Sequence, residues 1–209
     1  ILSRPGFTTD FLKLPHVQML EVESLPKKYA QQLVGQIQGG ESLPRRILEK
    51  ILQRTEGNPL FIEEISKSML EMLPDDDAMK DEISHTIVLP ATVQESLLAR
   101  LDRLPEASRA IAHLAAVIGR VFSYDLLERV ANYQGKNLYR ELMPLLNAQL
   151  VFQSVASPDA EYSFKHALVR DVAYETLLKS DLVAIHRRIA MVLEQNYPGI
   201  ALNSPELLA

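Results

Sequence analysis

Apolar residues recur at three- and four-residue intervals from Ala30 to Val192, and most runs stop at a glycine or a proline. That period marks helices with one buried face, so the chain has to fold mainly by packing short helices on one another. Ala30, Leu33, Val34 and Ile37 form the first face, ended by Gly39-Gly40, and Ile47, Leu48, Ile51 and Leu52 form the next, stopped by Gly57. Asn58-Pro59 opens a third helix, with Asn as the cap and Pro pre-shaped for the first helical position. Ile62, Ile65, Met69 and Met72 line one face of it. Glu63 and Glu64 point in different directions near its start, which suits the helix dipole better than acid–base work. Together these runs predict a small helical bundle over residues 25–73.

Pro74-Asp75-Asp76-Asp77 breaks the composition, and 74–89 reads as an exposed acidic linker. A calcium loop would need alternating ligands and a glycine turn, which are absent. A second helical series follows. Thr92 caps a helix carrying Val93, Leu97, Leu98 and Leu101, and Pro105 breaks it. Ile111, Leu114, Ala115 and Ile118 line the next, up to Gly119. Ser123 caps a short helix, and Asn137 is expected to cap another that Pro144 kinks or interrupts. Leu150 to Val155, a turn at Ser157-Pro158-Asp159, and the alternation Tyr162-Ser163-Phe164-Lys165 predict a β-hairpin. Helices followed by a hairpin is the order of a winged helix, expected over 90–166. Two further helices are expected over 167–209. The expected fold class is mainly α: a helical bundle, then a winged-helix domain with a β-hairpin wing, then C-terminal helices.

Composition narrows the function classes. The formal charge is −5, and residues 90–180 hold ten Lys plus Arg against ten Asp plus Glu. Nucleic-acid binding draws on an excess of basic groups, so a DNA-binding winged helix is the weaker alternative. The chain has no cysteine, which removes disulfides and thiolate chemistry. No run approaches the ~18–20 apolar residues that cross a bilayer, and the opening lacks the basic-then-apolar order of a signal peptide, so a cytoplasmic setting is expected. No Gly-rich phosphate loop, HExxH pair or GxSxG elbow occurs. The chain itself is not expected to be an enzyme. Its start, Ile1-Leu2-Ser3-Arg4-Pro5, reads as the middle of a longer protein, with Ile1 to Phe7 ending a strand and Val17 to Val22 a second extended piece.

Three segments carry a resemblance: 54–64 (RTEGNPLFIEE), 89–104 (LPATVQ running on to ARLDRL) and 162–175 (YSFKHALVRDVAYE). In this order the chain resembles the signal-transducing P-loop ATPases with numerous domains, an AAA-related group, in the branch fused to class III adenylate or guanylate cyclases. The resemblance implies the end of an ATPase core at 1–24, a helical lid at 25–73, the linker at 74–89, the winged helix at 90–166 and, after 167, helices leading to helical repeats. It implies ATP or ADP as cofactor, with magnesium in the intact parent and nothing bound to this piece alone. The implied partners are an intramolecular P-loop core before Ile1, a cyclase or other output domain, and downstream repeats, with no membrane. Three nucleotide-contacting positions are implied: Arg4 near the phosphates; Pro59, in Gly57-Asn58-Pro59, near the adenine; and His166, matching the histidine that senses the β-phosphate of ADP in related winged helices. Lys165 and Ala167 depart from the Met and Asp that flank that histidine. The implied role is regulatory, coupling nucleotide state to an output. A scaffold with a decayed ATPase core is the other alternative.

Overall fold

The protein is described by a computed structural model at residues 16, 20, 22–37, 39–40, 43–74, 76–133, 136–154 and 160–197. Arg4, the strand expected at Ile1 to Phe7 and the turn at Ser157-Pro158-Asp159 lie outside them, as does most of the extended piece at 17–22. The described part is mainly helical, with a small three-stranded antiparallel sheet.

Helices α1 (Lys27–Gln36), α2 (Arg45–Thr55) and α3 (Pro59–Met72) build the first core. Ala30, Val34, Ile47, Ile51, Ile62, Ile65 and Met69 meet there, at the three- and four-residue spacing read from the sequence. Asn58 caps α3, its Oδ1 accepting the Phe61 N–H at 3.1 Å, and Pro59 is its first residue. The α2–α3 turn carries two left-handed residues, Glu56 at φ 48° and Gly57 at φ 77°. The interval expected as a linker holds a helix, α4 (Asp77–Thr86). Lys50 ties its last turn to α2 by donating to the Ser84 carbonyl at 3.1 Å, and Leu89 is buried in the first core.

The second core follows in the order α5 (Val93–Asp102), α6 (Glu106–Ile118), β1 (Val121–Ser123), α7 (Tyr124–Ala131), α8 (Lys136–Asn147), β2 (Val151–Gln153), β3 (Glu161–Phe164) and α9 (Ala167–Glu175). Strand β3 is central, pairing Tyr162 with Phe122 of β1 and with Gln153 of β2. Its alternation puts Tyr162 and Phe164 inward, where Phe122 stacks on Tyr162 at 5.9 Å between ring centroids. The hairpin strands match the sequence pattern. The period of β1 is hidden because only three residues separate Arg120 from α7.

For α8 the expected cap is corrected, and of the kink or interruption expected at Pro144 the interruption does not occur. The helix starts at Lys136, so Asn137 lies within its first turn rather than at the cap. It also continues through Pro144 to Asn147. Pro144 removes one helical N–H, but its carbonyl still accepts from Ala148 at 2.9 Å. Leu142 and Leu145 are buried on either side, so packing holds the helix where propensity opposes it. The helix ends in a Schellman motif: Leu150 N–H donates to the Leu145 carbonyl and Gln149 N–H to that of Leu146, with Gln149 left-handed at φ 52°.

Helix α10 (Lys179–Asn196) packs across α6 and α7 through Ile189 and Leu193, beside Val117 and Val130. The caps expected at Thr92 and Ser123 are formed, by Oγ1 on the Glu95 N–H and Oγ on the Leu126 N–H. Glu95 also accepts the Ala91 N–H at 2.7 Å. Thr92→Ala should therefore cost about 1 kcal/mol, read as a lowered urea midpoint with unchanged slope.

Candidate functional site at the junction of the two cores

Helix α3 turns one face into the first core and offers the other to α5 and to the β3–α9 corner. Acidic groups on this second face meet basic groups from the second core. Glu64 and Arg100 are both almost fully buried, at 1% and 2% exposure, and form an ion pair through Glu64 Oε2 and Arg100 Nη1. Arg100 also donates from Nε to Glu71 at 3.1 Å and from Nη2 to the Ala148 carbonyl. Arg103 joins Glu71 at 2.9 Å. Glu63 Oε1 accepts from Lys67 at 2.7 Å and from Lys165, which sits after β3. Burial on its own would raise the Glu63 pKa, but the hydrogen bonds from Lys165 and Lys67 outweigh it and lower the group to about 2.

His166 stands at the N-cap of α9, with no cap bond from its side chain. Its Nε2 is shielded from solvent, has no hydrogen-bond partner among the described residues and lies 4.0 Å from Glu63 Oε2. Burial lowers its pKa; Glu64 opposes that shift and Lys165 adds to it, and the net effect favours the neutral imidazole. Glu64 Oε1 is likewise buried without a partner among the described residues. One ligand atom each from Glu63, Glu64 and His166 falls within 4.8 Å of the others. Two carboxylates and an imidazole are a divalent-cation donor set in kind. Here Lys67 and Lys165 already neutralise Glu63, and Arg100 neutralises Glu64, so a cation would meet three positive charges. The arrangement does not fit a metal.

Two of the positions singled out in the sequence come together on α3. Pro59 and Glu63 are four residues apart, hence on one helix face and separated by roughly 6 Å of rise. Glu63 in turn faces His166. The partners of Glu63 and Glu64 are side chains of the second core as well as Lys67, so the acids do more than face a helix dipole. Arg100, Lys165 and Lys67 escaped the sequence reading. Arg100 left a signal: it is one residue before Leu101 and three after Leu97, on the apolar stripe of α5, where an arginine has to find an acid. Lys165 left none, since a lysine after a strand is ordinary.

No family model matches this chain, and no curated protein matches it.

Proposed function

We propose that the chain is a nucleotide-responsive lid and winged-helix module of a signalling ATPase of the kind it resembles, in which a P-loop core elsewhere in the protein presents ADP or ATP to the junction. The order α6, β1, α7, α8, β2, β3 is that of a winged helix with its hairpin as the wing, and α1 to α3 take the part of the lid. One observation carries the reading above the others. The His166 imidazole is held at the junction, its neutral form favoured, with Nε2 aimed at the acidic face of α3 and bonded to nothing among the described residues. An imidazole nitrogen left unsatisfied beside Lys165 and Lys67 is a place where, in the tautomer protonated at Nε2, a phosphate oxygen gains bonds that the closed junction does not make. Nucleotide contacts there would compete with the Glu63–Lys165 pair and shift the angle between the two cores, which is how a bound state becomes an output. Magnesium would travel with the nucleotide on the ATPase core. The output, a cyclase in the branch resembled, is part of the proposal.

The reading is tested in the full-length protein by ADP affinity and basal output for wild type and His166→Ala. ADP affinity should fall about tenfold or more, and basal output should rise. If both are unchanged, the sensor role is wrong. The chain of 209 residues alone should hydrolyse no ATP and bind it no more tightly than roughly millimolar, about 4 kcal/mol.

A further inference from the structure

A cleft of about 600 Å³ opens between α1, α3 and the turn after α8. Part of its lining is apolar: Leu33 of α1, Ile37 just after it, and Leu70 of α3. The rest of the lining is polar, from Glu63, Lys67, Glu71, Gln149 and the buried guanidinium of Arg100. Neither Pro59 nor His166 lines it.

The charges that line the cleft balance, Glu63 and Glu71 against Lys67 and Arg100, but the wider network they belong to does not. Three carboxylates, Glu63, Glu64 and Glu71, serve four cations, Lys67, Lys165, Arg100 and Arg103. Lys67 and Lys165 share a single oxygen, Glu63 Oε1. One positive charge is thus in surplus, in a chain whose formal charge is −5. Both acids that face the cleft, Glu63 and Glu71, are already doubly paired with cations. Lys67 is the lysine of this network that lines the cleft itself. Its ammonium has three N–H donors, of which Glu63 Oε1 takes one at 2.7 Å and Gln149 Oε1 another at 2.6 Å. Burial and the neighbouring Lys165 act to lower its pKa, against Glu63, and an added anion would relieve that.

Gln149 supports the same conclusion. It is the left-handed residue of the Schellman turn, where glycine is the usual occupant. A glutamine there carries backbone strain, and its side chain reaches across to fix Lys67 on the polar wall.

We propose that this cleft binds a small amphipathic anion, with a carboxylate head on Lys67 and an aliphatic body against Leu33, Ile37 and Leu70. Because α1 and α3 belong to the first core and the turn after α8 to the second, the ligand would hold the two cores in the present arrangement. The cleft shares Lys67 and Glu63 with the nucleotide reading, but the proposal does not depend on that reading, since neither His166 nor Pro59 lines the cleft.

Calorimetric titration of the chain with hexanoate, octanoate, octanol and inorganic phosphate tests it. Octanoate should bind, and affinity should rise about three- to fourfold per methylene from hexanoate. Lys67→Met should weaken octanoate about tenfold or more and leave octanol unaffected. Gln36→Glu, at an exposed rim position, places a negative charge on the cleft without touching either core, and should also weaken octanoate. Octanol or phosphate binding as tightly as octanoate would overturn the proposal. So would an octanoate affinity that neither variant changes.

Discussion

Arg100→Met should destabilise the protein by about 3–5 kcal/mol, because it strands a buried carboxylate. Glu64 is 1% exposed, its Oε1 already lacks a partner among the described residues, and Arg100 holds its Oε2. The same substitution removes the donor to the Ala148 carbonyl and one of the two arginines on Glu71. The expected loss is a large share of the ~5–15 kcal/mol that a domain has in total. Urea unfolding followed by far-ultraviolet circular dichroism measures it. The informative companion is the double variant Arg100→Met with Glu64→Leu. Removing both charges leaves no uncompensated ion, so most of the loss should return. A single variant costing less than about 1 kcal/mol would mean that water reaches the pair.

Gly57→Ala is the second large effect expected, about 3 kcal/mol or more, and its cause is backbone geometry. Gly57 sits at φ 77°, where an L side chain is strained. A Cβ there would come within 2.4 Å of the Leu25 carbonyl oxygen and 2.9 Å of the Leu25 nitrogen. The chain cannot step back cheaply, because the Leu25 N–H donates to the Gly57 carbonyl at 2.9 Å. Gly35 provides the contrast within the same bundle. It lies in α1 with nothing within 4 Å of a built Cβ, so Gly35→Ala should stabilise by about 0.5–1 kcal/mol. Equal effects at the two glycines, read from thermal midpoints, would refute the packing argument at Gly57.

The helices of both cores were legible because their apolar spacing and their caps agree. Asn58, Thr92 and Ser123 each announce a helix start, and each accepts the N–H three residues on. Strand β1 was not legible, since a three-residue strand shows one and a half alternations. Its existence depends on β3, some 40 residues away, supplying the partner edge. Helix α4 was hidden by its acidic start, which reads as solvated loop until Lys50 and the first core tie its end down. At Pro144 the helix is not interrupted, with Leu142 and Leu145 buried beside it. The candidate site was legible by half. His166 carries distinctive chemistry in sequence, whereas the cations gathered near it are ordinary surface residue types. Only their placement against Glu63 and Glu64 makes them part of a site.

The central position of β3 also bears on how the chain comes into being. Strand β1 and its neighbour β2 never pair with each other. During synthesis β1 leaves the ribosome first and waits, with both edges open, while α7, α8 and β2 are made. Only when Glu161 to Phe164 arrive can all three strands join, and the Phe122, Tyr162 and Phe164 rings then close on the core together. The first core has no such delay, as its helices are neighbours in sequence. The lower bundle can thus fold on the nascent chain before the sheet exists. The acidic face of α3 is then in place as the surface on which Arg100 and, last of all, Lys165 dock.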